Sequence, residues 1–100
     1  MLGRRFKLFR GDQMLGTVTC TIDDDPWYCG TFEATAAFGP LAPLFEKELA
    51  LLELAEELEQ WDAAYTEAIG PGLRLEPDDG GAEVPEPLLH FHGPEARWRF

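Results

Sequence analysis

"MLGTVTCTIDDDPWYCGTF", residues 14–32, carries the alternation that decides the fold. Met14, Val18, Cys20 and Ile22 share one parity, and Thr17, Thr19 and Thr21 share the other. That is the period of a strand with one dry face and one wet face. Asp23, Asp24 and Asp25 then end the strand. Pro26 holds the residue before it in an extended conformation and turns the chain. Residues 27–33 read as a short third strand, in which Gly30 predicts a bulge or a close backbone approach.

Upstream, residues 4–10 read as the partner strand. Phe6 and Leu8 must share the dry face. A two-residue Gly11-Asp12 turn would set Leu8 opposite Leu15 and Phe6 opposite Thr17, which mixes the faces. A three-residue loop, Gly11 to Gln13, sets Leu8 opposite Gly16 and Phe6 opposite Val18, and is the one expected. Arg5, Lys7 and the threonines then share the outer face. The Arg10-Gly11-Asp12 tripeptide is turn chemistry.

Downstream, residues 35–38 suit a single helical turn, stopped by Gly39-Pro40. One long helix is expected from Pro43, a good first helical residue, to about Ile69, where Gly70, Pro71 and Gly72 end it. Leu44, Leu51, Leu54, Ala55, Leu58, Trp61, Tyr65, Ala68 and Ile69 form one broad stripe at 100° per residue. Phe45, Leu49 and Leu52 fall off that stripe and need a cover of their own, from residues 27–38 or from a second protein molecule. The remaining acids of the helix read as a solvated face. Residues 73–76 read as a strand and 77–86 as a loop. Residues 87–92 and 97–100 read as a closing hairpin with a four-residue loop. Leu89, Phe91, Trp98 and Phe100 would point in, and His90, His92, Arg97 and Arg99 out. The expected fold is one α+β domain spanning residues 1–100. It is a mostly antiparallel sheet of five to six strands, β-β-β-α-β-β-β, with one long helix across one face.

The 100 residues are 45% hydrophobic and 12% aromatic, enough for a real core despite a formal net charge of −11. Such a field repels nucleic acid and anionic membranes and favours basic partners. Phe6, Leu8 and Phe9 are interrupted by Lys7 and Arg10, so no leader peptide is expected, and no run reaches membrane-spanning length. The cytoplasm is the expected compartment. There Cys20 and Cys29 read as thiols, with a disulfide across adjacent strands as the alternative.

Several side-chain groups invite chemistry. Asp23, Asp24 and Asp25 could hold a divalent cation through oxygen, but they lack the alternating spacing of a calcium loop. They read first as a solvated turn, and otherwise as a contact surface. His90 and His92 lie on one side of a strand, as zinc ligands can, with no third ligand nearby and Arg97 and Arg99 opposite. The chain has no serine, and Cys29 has no histidine close in sequence to activate it. No catalytic set, metal site or cofactor site is expected.

The elements Leu8-Phe9, Leu15-Gly16, Asp24-Asp25-Pro26-Trp27, Gly30-Thr31-Phe32 and Arg97-Trp98-Arg99 resemble those of a family of small uncharacterised bacterial proteins. The resemblance covers most of the chain and implies no activity and no functional residue.

The expected function is that of a non-catalytic, acidic, protein-binding domain, an inhibitor or immunity-like protein that covers a basic partner, as monomer or homodimer. The candidate partner surface is Asp23, Asp24, Asp25, Trp27, Tyr28, Phe45, Leu49 and Leu52. A candidate basic sheet face is Arg5, Lys7, His90, His92, Arg97 and Arg99. The alternative is a small-molecule binder or enzyme with a pocket between sheet and helix near Trp27, Cys29, His90 and His92.

Overall fold

A computed structural model describes residues 2–24, 27–54 and 58–99. Seven strands form a single antiparallel sheet: β1 (Arg5–Arg10), β2 (Gln13–Asp24), β3 (Trp27–Ala34), β4 (Leu73–Pro77), β5 (Val84–Pro85), β6 (Leu88–His92) and β7 (Glu95–Arg99). A 3-10 helix (Ala36–Leu41) leads into α1 (Ala42–Leu54), and α2 (Leu58–Ile69) follows. The sheet order is β5-β4-β1-β2-β3-β7-β6. The α+β class and the antiparallel sheet are those expected, with the two-residue β5 as an added strand inside the expected loop.

The sheet is curled. The rings of Phe6 on β1 and Trp98 on β7 meet edge to face with centroids 6.5 Å apart. Three strand spacings separate those strands, roughly 14 Å in a flat sheet. The inner face therefore folds around its own side chains, and Phe6, Leu8, Leu15, Val18, Cys20, Leu75, Leu89 and Trp98 are all buried. Phe32, Phe38, Phe45 and Phe91 close one end of this core, with centroids 4.6–5.9 Å apart.

Two bulges reconcile the hydrophobic pattern with the turns. Leu8 faces Gly16 and Phe6 faces Val18, as expected, yet Arg10 faces Gln13 across a two-residue turn. The extra residue is Leu15, which the bulge between Leu8 and Phe9 admits to the core. The second bulge lies at Thr21: Cys20 faces Gly30, but Ile22 faces Cys29. An inserted residue reverses the parity of everything beyond it. Ile22, expected on the dry face, is 54% exposed for this reason. The signal was Gly30, where a Cβ would collide with the carbonyl oxygen of Thr19.

The single long helix is replaced by two helices packed side by side. The Trp61 indole Nε1 donates to Glu48 Oε2 at 2.9 Å, although the two residues are 13 apart in sequence. On one straight helix they would be roughly 20 Å apart. Leu54 and Leu58, expected in the stripe, are 64% and 66% exposed at the ends of the two helices. Ala55 lies outside the described residues, as does Phe100. α1 packs on β6 and the 3-10 helix, and Phe45 of α1 and Ala68 of α2 enter the core beside the inner-face side chains. The Tyr65 hydroxyl on α2 accepts from Leu89 N at 3.1 Å and donates to the Pro87 carbonyl at 3.4 Å. It thus occupies backbone groups at the open edge of β6, which would otherwise invite pairing with another strand. The closing hairpin turns in two residues, Gly93 and Pro94, with His92 facing Glu95, rather than in the expected four. Gly93 supplies the positive φ (56°) that such a turn requires.

Candidate functional site

The Thr21 bulge shapes the far end of the β2–β3 hairpin. Asp24 faces Trp27 and Asp23 faces Tyr28 across it. Asp23, Asp24 and Ile22 are exposed, and Asp25 lies outside the described residues. Trp27 is half-buried on the outer face. The Arg97 guanidinium lies 4.4 Å from its ring centroid and that of Arg99 5.7 Å. Two cations held over one indole fix its position by cation–π attraction. Beside this platform is a groove of about 230 Å³, lined by Thr21, Ile22, Cys29, Thr31, His92 and Arg97 among others.

Behind the platform sits a polar cluster that the sequence reading missed. Glu48 is fully buried and His90 is 4% exposed. Glu48 Oε1 contacts His90 Nδ1 at 2.8 Å, and Oε2 accepts from the Trp61 indole. Both carboxylate oxygens are thereby satisfied, as burial demands. If the carboxylate is ionised it can only accept, and the shared proton then lies on Nδ1. The Trp27 and Tyr65 rings flank the imidazole at 6.0 and 5.9 Å, and Tyr65 stacks on Trp61 at 5.4 Å. Burial pushes the Tyr65 phenol above its ordinary pKa. Leu89 and Phe91 point inward, His90 points outward, and all three are buried. The helices therefore wrap the edge of β6 and reach both of its faces.

The candidate partner surface separates. Asp23, Asp24 and Trp27 stay together at the β2–β3 end. Tyr28 packs inward against Trp98 at 6.3 Å. Phe45 is 1% exposed beneath Phe38 and Phe91, so it is core and not a contact residue. Its cover is internal, from the segment around Phe38. Leu49 and Leu52 are half-buried.

The candidate basic face is mixed. Arg5, Lys7, Arg97 and Arg99 are exposed on it, but so are Glu33 and Glu95, which the register places in the same rows. His90 leaves it for the buried cluster, because the helices cover β6 where bare solvent was expected. His92 is exposed, with Nε2 3.9 Å from Glu53 Oε1. The two cysteines are free thiols. Cys20 faces Gly30, and Cys29, one residue along, points to the opposite sheet face, so no bridge can join them. Burial pushes the Cys20 thiol up in pKa.

Among the described residues no imidazole is hydrogen-bonded to Cys29, and no three metal-ligating side chains come together. No described helix is long and apolar enough to cross a membrane. No protein-family model, curated protein or solved structure matches the chain.

Proposed function

We propose that the chain is a non-catalytic protein-binding domain that presents the end of its β2–β3 hairpin to a basic partner, in the manner of an inhibitor or immunity-like protein. One observation carries this reading: a β-bulge spends regular ladder pairing to turn Ile22 out to 54% exposure, beside Trp27, Asp23 and Asp24. Bulges re-aim side chains and are treated as built features, not defects. Ile22 supplies an apolar anchor. Trp27, held by Arg97 and Arg99, supplies a rigid aromatic platform of the kind that dominates interface energetics. Asp23 and Asp24 supply charge at the rim, and the net charge of −11 steers a basic partner toward the molecule.

The test is affinity capture from a lysate of the host, with wild type compared with Ile22→Lys and Trp27→Ala. A basic protein should be retained by wild type, its association should slow as salt rises, and its affinity should fall at least about 30-fold in either variant. Ile22→Lys should melt within a few degrees of wild type; Trp27→Ala, which uncovers the His90 imidazole, should melt lower, so capture is compared at a temperature where both are folded. A partner set unchanged by both substitutions would defeat the reading.

A second reading places a small molecule or a reaction in the groove that Cys29, His92 and Arg97 share. It requires an imidazole to reach the Cys29 sulfur. It predicts modification of Cys29 by iodoacetamide at neutral pH far faster than a free thiol, with loss of that excess in His92→Ala.

A further inference from the structure

The sheet does not close on itself, and the open seam holds a cavity distinct from the β2–β3 platform. On one side lie the ends of β4 and β5. On the other lies the start of β6. The last turns of α2 run along the gap. The cavity measures about 340 Å³ and is lined by Tyr65, Ile69, Leu73, Glu86, Pro87 and Leu88, with Gly72. That is within the size range of small-molecule sites, which are mostly apolar with a few placed polar groups.

Its walls are held by hydrogen bonds within the chain. The Tyr65 hydroxyl is held between Leu89 N and the Pro87 carbonyl. Glu86 N donates to the Leu73 carbonyl at 3.0 Å, and Gly72 N to that of Ile69 at 3.0 Å. A pre-formed site avoids the ordering cost that weakens binding. Leu73 forms an apolar floor, itself 3% exposed.

The polar endowment is one-sided. Glu86 is the one side chain of the lining that carries charge at neutral pH. No lysine or arginine lines the cavity. Arg10, the cation at the end of α2, is committed to the carbonyls of Glu67 and Ala68 at 3.2 and 2.9 Å. Arg74 is turned to the other sheet face, 4.4 Å from the Phe9 ring centroid and 3.5 Å from Glu76. Glu86 also sits at φ +50°, the only described non-glycine residue with positive φ. Glycine or asparagine would occupy that conformation with less strain. A glutamate kept there between Pro85 and Pro87 places a carboxylate at the mouth of an apolar cavity.

We propose that this seam cavity binds a small organic cation: a compact apolar group seated between Tyr65, Ile69, Leu73 and Leu88, with an ammonium directed to Glu86. Apolar contact supplies the attraction, and the carboxylate selects the sign of charge.

The test uses benzylammonium, benzyl alcohol and benzoate as probes of one shape and three charges. Each is titrated into the isotope-labelled full chain and followed by amide NMR shifts. Benzylammonium should bind saturably, with the largest shifts at Ile69, Gly72, Leu73, Glu86 and Leu88. Benzyl alcohol should bind more weakly, and benzoate should show no saturable shift over the same range. Glu86→Gln should weaken benzylammonium about twofold to fivefold, the size of a partly exposed ion pair, and leave benzyl alcohol unchanged. The side chain of Glu86 is exposed, so the variant should melt with wild type. Absence of saturable shifts, shifts centred elsewhere, benzoate binding as tightly as benzylammonium, or an indifferent Glu86→Gln would each overturn the proposal.

Discussion

Glu48 follows Leu44 and Phe45 by four and three residues and precedes Leu51 and Leu52 by three and four. An acid with apolar neighbours at i±3 and i±4 occupies the buried stripe of its helix, and this spacing was the available sign that it would not be solvated. What the sequence could not supply was its partners, since His90 and Trp61 lie 42 and 13 residues away. Truncation should therefore be severe. Glu48→Ala leaves the Trp61 indole and the His90 imidazole without their acceptor in a closed site, at a cost of about 3–5 kcal/mol. Glu48→Gln keeps an oxygen for the indole, and its NH2 donates to Nδ1 once the imidazole proton moves to Nε2, so it should cost clearly less. Urea unfolding of both variants measures the difference. Equal and small losses would mean that the cluster does not pin the helices to β6.

At the scale of elements, local period was legible and sheet geometry was not. Phe6, Leu8, Val18, Leu89 and Trp98 fall on the inner face as their alternation requires, because each pattern is set within one strand. The inserted residues at Leu15 and Thr21 broke the extrapolation from one strand end to the other. One glycine flagged each: Gly16 beside the first, Gly30 opposite the second. The helix misled for a related reason. A stripe sustained over 27 residues looks the same whether one helix or two carry it; the Trp61–Glu48 hydrogen bond and the exposure of Leu54 and Leu58 separate the cases. Of the candidate site, Trp27 and its aspartates were legible as a break in pattern. The arginines above Trp27 depend on β3 pairing with β7, a long-range choice. The element-scale prediction concerns Gly30. Alanine there meets the Thr19 carbonyl and the Cys20 backbone, neither of which can move without undoing the β2–β3 ladder. Gly30→Ala should cost about 1–3 kcal/mol, a fall in Tm of roughly 4–20 °C for a domain of this size. Gly39→Ala, with open space around it, should melt with wild type. Matching melts for the two variants would remove the close approach from the account of the bulge.

For the whole molecule, curvature and charge act together. The curled sheet lets a small chain bury Trp98, Phe6 and Cys20 within one layer closed at its seam by α2. That closure depends on the Tyr65 hydroxyl, which donates as well as accepts. Burial raises the pKa of Tyr65 above 10.0 and that of Cys20 above 9.0, the values these groups have when exposed. The folded state therefore holds both protons more tightly than the unfolded state. Their contribution is complete below about pH 9 and is lost as pH rises, first past the unfolded values and then through the folded ones. The molecule already carries a net charge of −11 at neutral pH, so self-repulsion grows in the same direction. Salt separates the two effects, because it screens exposed charges and leaves desolvation of a buried group nearly untouched. Thermal melts at pH 7.5, 9 and 10.5 should show a steep fall over the last interval, only partly restored by 0.5 M salt (on the order of a 4–5 Å Debye length). Tyr65→Phe should start lower at pH 7.5, since Leu89 N and the Pro87 carbonyl lose their partner, and should then fall less with pH. Cys20→Ala should likewise flatten the upper limb. If neither substitution changes the slope above pH 9, repulsion alone governs the alkaline limit, and the Tyr65 hydroxyl is not the contact that keeps the seam shut.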